Sequence, residues 1–477
     1  MGIGMNPPSI KWGPKVAGCM VFVLLLTTAA CTSQIQGVNS PVEIPGKFTM
    51  TGTRALTDQW WLDLEDHDLN VLIDLALAGN LNLKIAWDRL DQARAVARKT
   101  GADRYPSMDL EAGASRFYTR EGRETSHSNN FSLGLVAGYE VDLWGRIRSA
   151  RDAATLDAQG SREDLMTAAL SLSAQVASTW YRLVEQYGQR KLLDEQIQTN
   201  EKVLKVVTLR FRRGQAGAAD VLQQRQLVES KHGEIARVEA EIKVLEHQLS
   251  ILLGYPPTEP VARQVTVLKD MPPLPETGLP ADLILKRPDI RSAYYRVQAA
   301  DQRVAEAIAD RFPRISLSAQ ITGSDEQVGD LFDNWFATLA ANLVGPVIDG
   351  GKREAEVTRA RAVASEDLHN YGQVILNALG EVEDALVLES RQRDYINSLD
   401  QQLIFSGQAI DRVKDRYTKG AEDYLRVLDA LLTHQQLQRT RLTAGRKIIQ
   451  DRIDLCRALG GGWQLTRPGQ TAGRAEN

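Results

Sequence analysis

The sequence predicts an α+β membrane protein built as an internal twofold repeat. Each half is a two-stranded β-hairpin followed by a long coiled-coil helical hairpin. Three observations predict this. First, matching residues recur at one offset. Phe211 and Tyr417, Gly214 and Gly420, Val221 and Val427, and Leu222 and Leu428 all lie 206 positions apart. So do Gly145 and Gly351, and Leu253-Gly254 and Leu459-Gly460, while Pro106 and Pro313 are 207 apart. One long period marks a duplicated unit rather than a solenoid of short repeats. The alternative is chance agreement between two Leu-rich helical halves, but chance would not hold one offset across so many residues. Second, an aromatic-Pro pair in each half opens two segments of alternating polarity. Third, apolar residues then recur every seven positions.

Composition narrows the function classes. The 477 residues carry a net charge of -4 with both signs interspersed, so no nucleic-acid footprint is present. Three Cys give no disulfide framework. Cys456 continues the seven-residue series Leu442, Ile449, Cys456 and reads as a buried seam residue rather than a reactive thiol. At the N-terminus, Lys11 and Lys15 precede the apolar run Val16–Leu26 and then Thr-Thr-Ala-Ala-Cys, a secretory signal rather than a spanning helix. The small-small-Cys ending resembles a bacterial lipobox, in which Cys31 is acylated and becomes the mature first residue. Thr28 stands where the common pattern has Leu, and cleavage after Ala30 without lipidation is the alternative. Thr32 follows the Cys, so nothing favours retention at the inner membrane. Asn6 rules out an N-terminal myristoylation site. Beyond the signal there is no apolar run of about 18 residues. A mature chain that crosses a membrane must therefore do so as a closed β-barrel.

The strands follow Tyr105-Pro106 and Phe312-Pro313. Met108, Leu110, Ala112 and Ala114 share one phase, as do Ile315, Leu317, Ala319 and Ile321. After a polar loop the second strands begin, with Phe131, Leu133, Leu135, Ala137, Tyr139, Val141 and Leu143 in phase, and Trp335, Ala337, Leu339, Ala341 and Leu343 in the other half. Strands of about ten residues suit a tilted membrane crossing, and aromatic residues gather at their ends as interface girdles do. Four strands cannot close a barrel, so a pore requires several copies. Three copies supply twelve strands.

Long helices are expected at 149–213 and 353–419. Ile396, Leu403, Ile410 and Tyr417 recur every seven, as do Ile197, Leu204 and Phe211, the signature of coiled-coil packing. Gly214 and Gly420 follow a basic last turn and end those helices at two hairpin tips. A Pro-rich belt segment links the halves, and a polar tail after Trp463 reads as disordered. The domain reading is a signal at 1–30, then a lipidated segment, belt and first helix at 31–104. Hairpin 1 takes 105–144, coiled coil 1 takes 145–254, and the belt linker 255–286. A helix at 287–311, hairpin 2 at 312–347, coiled coil 2 at 348–459 and a tail at 460–477 complete it.

Several stretches together carry a family resemblance: DQWWLDLEDHDLNVLIDLAL (58–77), YEVDLWGRIR (139–148), LPADLILKRPDIRSA (279–293), GPVIDGGK (345–352), RYTKGAEDYLRVLDA (416–430) and ALGGGW (458–463). The chain resembles the outer-membrane factor family, the TolC-like channels of tripartite export systems, and within it the lipoprotein branch of drug-efflux outlets. That resemblance implies a homotrimer in the outer membrane of a Gram-negative bacterium, with a twelve-stranded transmembrane barrel. A long α-helical barrel then runs through the periplasm inside an equatorial belt. It implies a gated passive duct exporting small molecules such as drugs or other toxic compounds. Its partners would be a periplasmic adaptor (membrane fusion) protein and an inner-membrane pump of RND type.

The same resemblance assigns site residues. Cys31 carries the lipid. Tyr417 matches a tip aromatic in the contacts that close the channel, Leu425 an apolar constriction, and Asp429 an acidic ring that would favour cations. Gly214 and Gly420 match tip positions presented to adaptor hairpins, though turn geometry alone also explains them. The sequence departs from the family at Arg426, where some members carry a second Asp, and at Glu422, where they carry a basic residue. Arg426 and Asp429 are i and i+3 and could simply pair.

Other classes fit less well. Six His show no metal-ligand spacing, no Gly-rich phosphate loop follows a strand, and no cofactor or enzyme site is expected. Met and Cys form no cluster pointing to a metal-ion outlet. The outlet of a type I protein secretion system is an alternative. A lipid-tethered periplasmic coiled-coil scaffold is another, but it leaves the alternating strands unexplained.

Overall fold

The computed structural model describes residues 40–54, 57–258, 265–461, 463 and 465–467. The expected signal and Cys31 lie outside them. The first half runs α1 (His67–Gly79), α2 (Leu81–Ala102), β1 (Ser107–Glu121), β2 (Glu124–Val141), α3 (Arg146–Arg212) and α4 (Ala218–Leu253). The second runs α5 (Pro280–Lys286), α6 (Pro288–Ala309), β3 (Arg314–Asp325), β4 (Trp335–Val344), α7 (Lys352–Thr418) and α8 (Tyr424–Leu459). The 206-residue offset reproduces all four boundaries of α3 and α4 in α7 and α8. Among the described residues no single helix is long and apolar enough to cross a membrane.

Each long helix has 67 residues, about 100 Å at 1.5 Å per residue. Shorter helices flank it end to end, and a matched pair of junctions shows how. Asn80 Oδ1 accepts from Leu83 N–H (3.0 Å) and so caps α2, while its Nδ2 donates to the Leu252 carbonyl (2.8 Å) at the end of α4. In the second half Arg287 precedes α6, and its Nη1 donates to the Ala458 carbonyl (2.8 Å) at the end of α8. Asn80 and Arg287 are 207 apart, and Leu252 and Ala458 are 206 apart. The duplicated junction kept its task and changed its chemistry. Arg287 is buried and balanced by Asp289 and Glu381. The single helix expected before hairpin 1 is two, because Asn80 is extended and α1 and α2 meet there at 45°.

The four strands form one antiparallel sheet in the order β1-β2-β3-β4. The halves join at β2–β3, with Leu135 opposite Ile321 and Ala137 opposite Ala319. Every expected apolar phase falls on the same face. Leu110, Leu135, Ile321 and Ala337 form one row, and Met108, Ala137, Ala319 and Leu339 another. Within the chain, β1 and β4 are edge strands. Hairpin 1 corrects the sequence reading: the polar loop is strand. β1 and β2 are 15 and 18 residues long and turn at Gly122-Arg123. Gly122 takes φ 64 and Arg123 does not, the type II′ pattern that suits strand twist. Polar composition hid this ribbon because neither of its faces is buried.

The main core lies beside the belt. Trp60, Trp61 and Trp180 are buried with Leu69, Ile73 and Leu249. Trp180 Nε1 donates to Asp66 Oδ2 (3.0 Å). Trp463 meets Trp61 edge-on at 5.1 Å, and in the tail beyond it, expected to be disordered, the described Arg467 pairs with Asp88 and Asp91 on α2. The belt runs against α8. Arg452, with its side chain 3% exposed, pairs with Glu389 of α7 (2.6 Å) and donates to the carbonyls of Pro272 (3.2 Å) and Pro273 (3.0 Å). Proline offers no backbone donor, so a carbonyl acceptor is what this belt can present to a helix. Cys456 is buried, and its thiol is pushed up to about 12 by burial.

Candidate functional site

The candidate site is the helical tip, where α3, α4, α7 and α8 converge. Both long helices end in the same way. Gly214 N–H donates to the Phe211 carbonyl (2.9 Å) and Gln215 N–H to that of Arg210 (2.8 Å). Gly420 N–H donates to Tyr417 (3.0 Å) and Ala421 N–H to Arg416 (2.9 Å). This is the Schellman closure, and it requires a left-handed residue. Gly214 takes φ 73 and Gly420 φ 74. No side chain crowds either glycine, so backbone conformation and not packing selects them.

Behind the turns a small core holds Val207, Val221, Tyr417, Tyr424 and Val427. Tyr417 is 6% exposed, and the Arg210 guanidinium lies 4.3 Å from its ring centroid and donates to its carbonyl. The Tyr417 hydroxyl is buried and has no partner among the described residues. Burial raises the Tyr417 phenol above its ordinary value, and Arg210 opposes that.

The structure separates the three predicted gate residues. Tyr417 is interior. Leu425, 59% exposed, and Asp429 lie one turn apart on the outer face of α8. Arg426 and Asp429 form no ion pair, so the neutralised pair allowed by their spacing is not what the chain builds. Arg416 instead binds Glu422 (3.2 Å) across the turn, which occupies the residue that departs from the family pattern.

The sequence reading missed a buried amide ladder above the tip. The Tyr424 hydroxyl donates to Gln224 Oε1 (2.6 Å), and Gln224 Nε2 to the Asn200 carbonyl (2.8 Å). Asn200 and Gln435 then join side chain to side chain (3.2 and 3.4 Å). Gln196 Nε2 reaches the Gln435 carbonyl and Gln438 Oε1, both at 3.1 Å. The available signal was a second heptad series, Leu193, Asn200, Val207, all fully buried. The expected seam Ile197, Leu204, Phe211 drifts outward, and Phe211 is 45% exposed. A polar residue within a coiled-coil seam fixes register because its hydrogen bonds form in one alignment only.

Beside the ladder, His434 contacts Ser406 Oγ through Nδ1 (2.8 Å) and Gln438 through Nε2 (3.2 Å). Burial lowers its pKa from the ordinary 6.5, assisted by Lys414 and opposed by Asp411. Because the folded value is the lower one, the unfolded chain takes the proton first. Tip stability is therefore expected to be full above pH 6.5 and to fall as the pH drops below it. Hydrogen exchange of α8 at neutral and mildly acidic pH checks this. His434→Gln should flatten the acid-dependent loss, and an unchanged pH response in that variant refutes the assignment.

The comparisons place this architecture. The family model described as "Outer membrane efflux protein" matches residues 72–255 and 279–461, one match per repeat. The chain belongs to that family. It is an outer-membrane efflux channel of the TolC-like class, the outlet component of a tripartite efflux system. It is 31% identical over 468 residues to the pyoverdine export outer membrane protein OpmQ of Pseudomonas aeruginosa, covering 93% of this chain and 96% of that one. It is 28% identical over 450 residues to the cation efflux system protein CusC of Escherichia coli, covering 92% and 98%. Among solved structures, the outer-membrane channel OprN superposes with a TM-score of 0.83 at 26% identity, covering 89% of this chain and 98% of that one. Members of this efflux family are channels, and among the described residues no group of His, Cys, Asp or Glu is placed to hold a metal ion.

Proposed function

We propose that three copies of this efflux channel close their four-stranded sheets into one twelve-stranded barrel. The apolar face meets lipid and the polar face lines the pore. The observation that carries this is the register: four strands from two distant halves put their apolar phases on one face and leave β1 and β4 as free edges. An edge strand is satisfied by pairing with the next copy, and a barrel removes all edges. The long helices extend the duct on the periplasmic side. The tip closes it at rest, with Tyr417 ordering the helices and Leu425 and Asp429 on the surface that meets the neighbouring copies. The Gly214 and Gly420 turns meet an adaptor, and an RND-type pump supplies the energy. Cys31 anchors the chain by acylation. The cargo is small molecules, in keeping with the pyoverdine and cation named for the relatives, and no catalysis is involved.

The test is single-channel conductance of the purified lipidated protein in a planar bilayer, with cross-linking to count chains. A small stable conductance from a trimer that rises on Asp429→Ala supports the reading. A monomer without conductance overturns it in favour of a tethered scaffold. Labelled palmitate incorporation that persists in Cys31→Ala refutes the lipid site.

A further inference from the structure

The extended part of hairpin 1 has no counterpart in hairpin 2. β2 pairs with β3 only from Phe131 onward, so residues 115–121 and 124–130 project beyond the sheet as a two-stranded ribbon. Seven residues of strand reach about 24 Å. The residue types change abruptly along one phase of β1. Met108, Leu110, Ala112 and Ala114 are followed on the same face by Arg116, Tyr118 and Arg120. Opposite them on β2, Leu135, Leu133 and Phe131 give way to Asn129, His127 and Thr125. Phe131 and Trp335 mark the rim where the apolar band ends. Tyr139 is eight residues from that rim on the same face, about 27 Å along the strand and about 20 Å of height at a barrel strand's tilt, most of a membrane band.

The patch beyond the rim is basic and uncompensated. Among the described residues neither Arg116 nor Arg120 forms an ion pair. The ribbon carboxylates Glu121 and Glu124 belong to the opposite phase, and Asp325, on the same face at the rim, accepts from Gln327 N–H (3.1 Å) and Asn334 Nδ2 (3.3 Å). Arg116 lies 5.5 Å from the Tyr118 ring centroid, and Tyr118 lies 6.4 Å from His127 across the strands. Stacking on Tyr118 holds the Arg116 guanidinium at the surface. Arg120 lies four residues beyond Arg116 on the same face, about 14 Å along the strand. Two guanidiniums on one face, far enough apart for each to meet its own phosphate and just past an aromatic rim, are suited to phosphate groups at headgroup depth, where Arg binds oxyanions bidentately.

We infer that Arg116, Tyr118 and Arg120 form a binding surface for a phosphorylated lipid headgroup of the outer leaflet. This inference rests on the apolar face being the lipid-facing one. The test titrates the purified full-length protein, in a detergent with an uncharged headgroup, with bisphosphorylated lipid A and with dephosphorylated lipid A, reading bound lipid by native mass spectrometry. Arg116→Gln/Arg120→Gln is expected to weaken binding of the phosphorylated lipid about tenfold or more, since each lost charge-assisted contact is strong. The dephosphorylated lipid should bind equally to both proteins. Arg123→Gln, at the ribbon turn, should behave as the unaltered chain does. Equal binding of phosphorylated lipid to the double variant and the unaltered protein overturns the inference, as does equal binding of the two lipids to the unaltered protein. If the double variant fails to assemble, Arg120→Gln alone is scored by the same criterion. Conductance is recorded in parallel. A channel that conducts but shows no phosphate preference sinks this inference alone, whereas loss of conductance in the unaltered protein sinks the channel reading.

Discussion

Arg452→Met is expected to lower stability by about 3–5 kcal/mol, the cost of breaking a buried ion pair by removing one partner. The two side chains are 3% and 2% exposed and meet at 2.6 Å. Removing the guanidinium leaves the buried Glu389 with Arg393 (3.2 Å) as its remaining cation and strips the donor from two proline carbonyls. The belt loses its tie to α8 at the same moment. Arg452→Met/Glu389→Leu should recover most of the loss, because a pair replaced by apolar residues leaves no stranded charge. Thermal unfolding of the detergent-solubilised protein measures both variants. A single variant no less stable than the double would mean that the pair is not desolvated and that the belt is held elsewhere.

Tyr417→Ala is expected to have the largest effect on the channel. It removes a ring packed among Val207, Tyr424 and Val427 and facing Arg210, and such truncations cost about 3–5 kcal/mol. The loss is concentrated at the tip, so resting conductance should rise severalfold while the barrel persists. Tyr417→Phe should leave conductance unchanged, because the hydroxyl has no partner among the described residues. In Tyr417→Phe/Asp429→Ala any rise therefore belongs to Asp429. Unchanged conductance in Tyr417→Ala would move the gate away from this residue. An open Tyr417→Phe channel would show that a neighbouring copy supplies the missing partner.

Much of the architecture was legible because it is periodic. Alternation fixed the phase of all four strands, and a two-residue period cannot slip without moving every apolar residue to the wrong face. The 206-residue offset located both tips, since a Schellman turn demands Gly at one position and both copies kept it. The ribbon of hairpin 1 was not legible, because a strand exposed on both faces has no hydrophobic period. The first residues of the tail read as disordered because their composition is polar, yet Arg467 fits Asp88 and Asp91 far away in the chain.

The candidate site was legible only in part. Its turns and its aromatic residue announced themselves, but whether a side chain faces inward depends on helix phase over 67 residues. Two seven-residue series run side by side on this helix, and packing leaves Phe211 at the surface while it keeps Asn200 in the core. By itself the sequence determined the duplication, the strand phases, the helical breaks and the family. The tertiary structure alone decided that Tyr417 is interior while Leu425 and Asp429 are not. It alone decided that an Asn and an Arg perform one task at two matched junctions, and that a proline belt is held by a buried ion pair. The physical reason is the same in each case: local pattern sets which backbone forms, whereas the partner of a buried polar group is chosen by packing between residues distant in the chain.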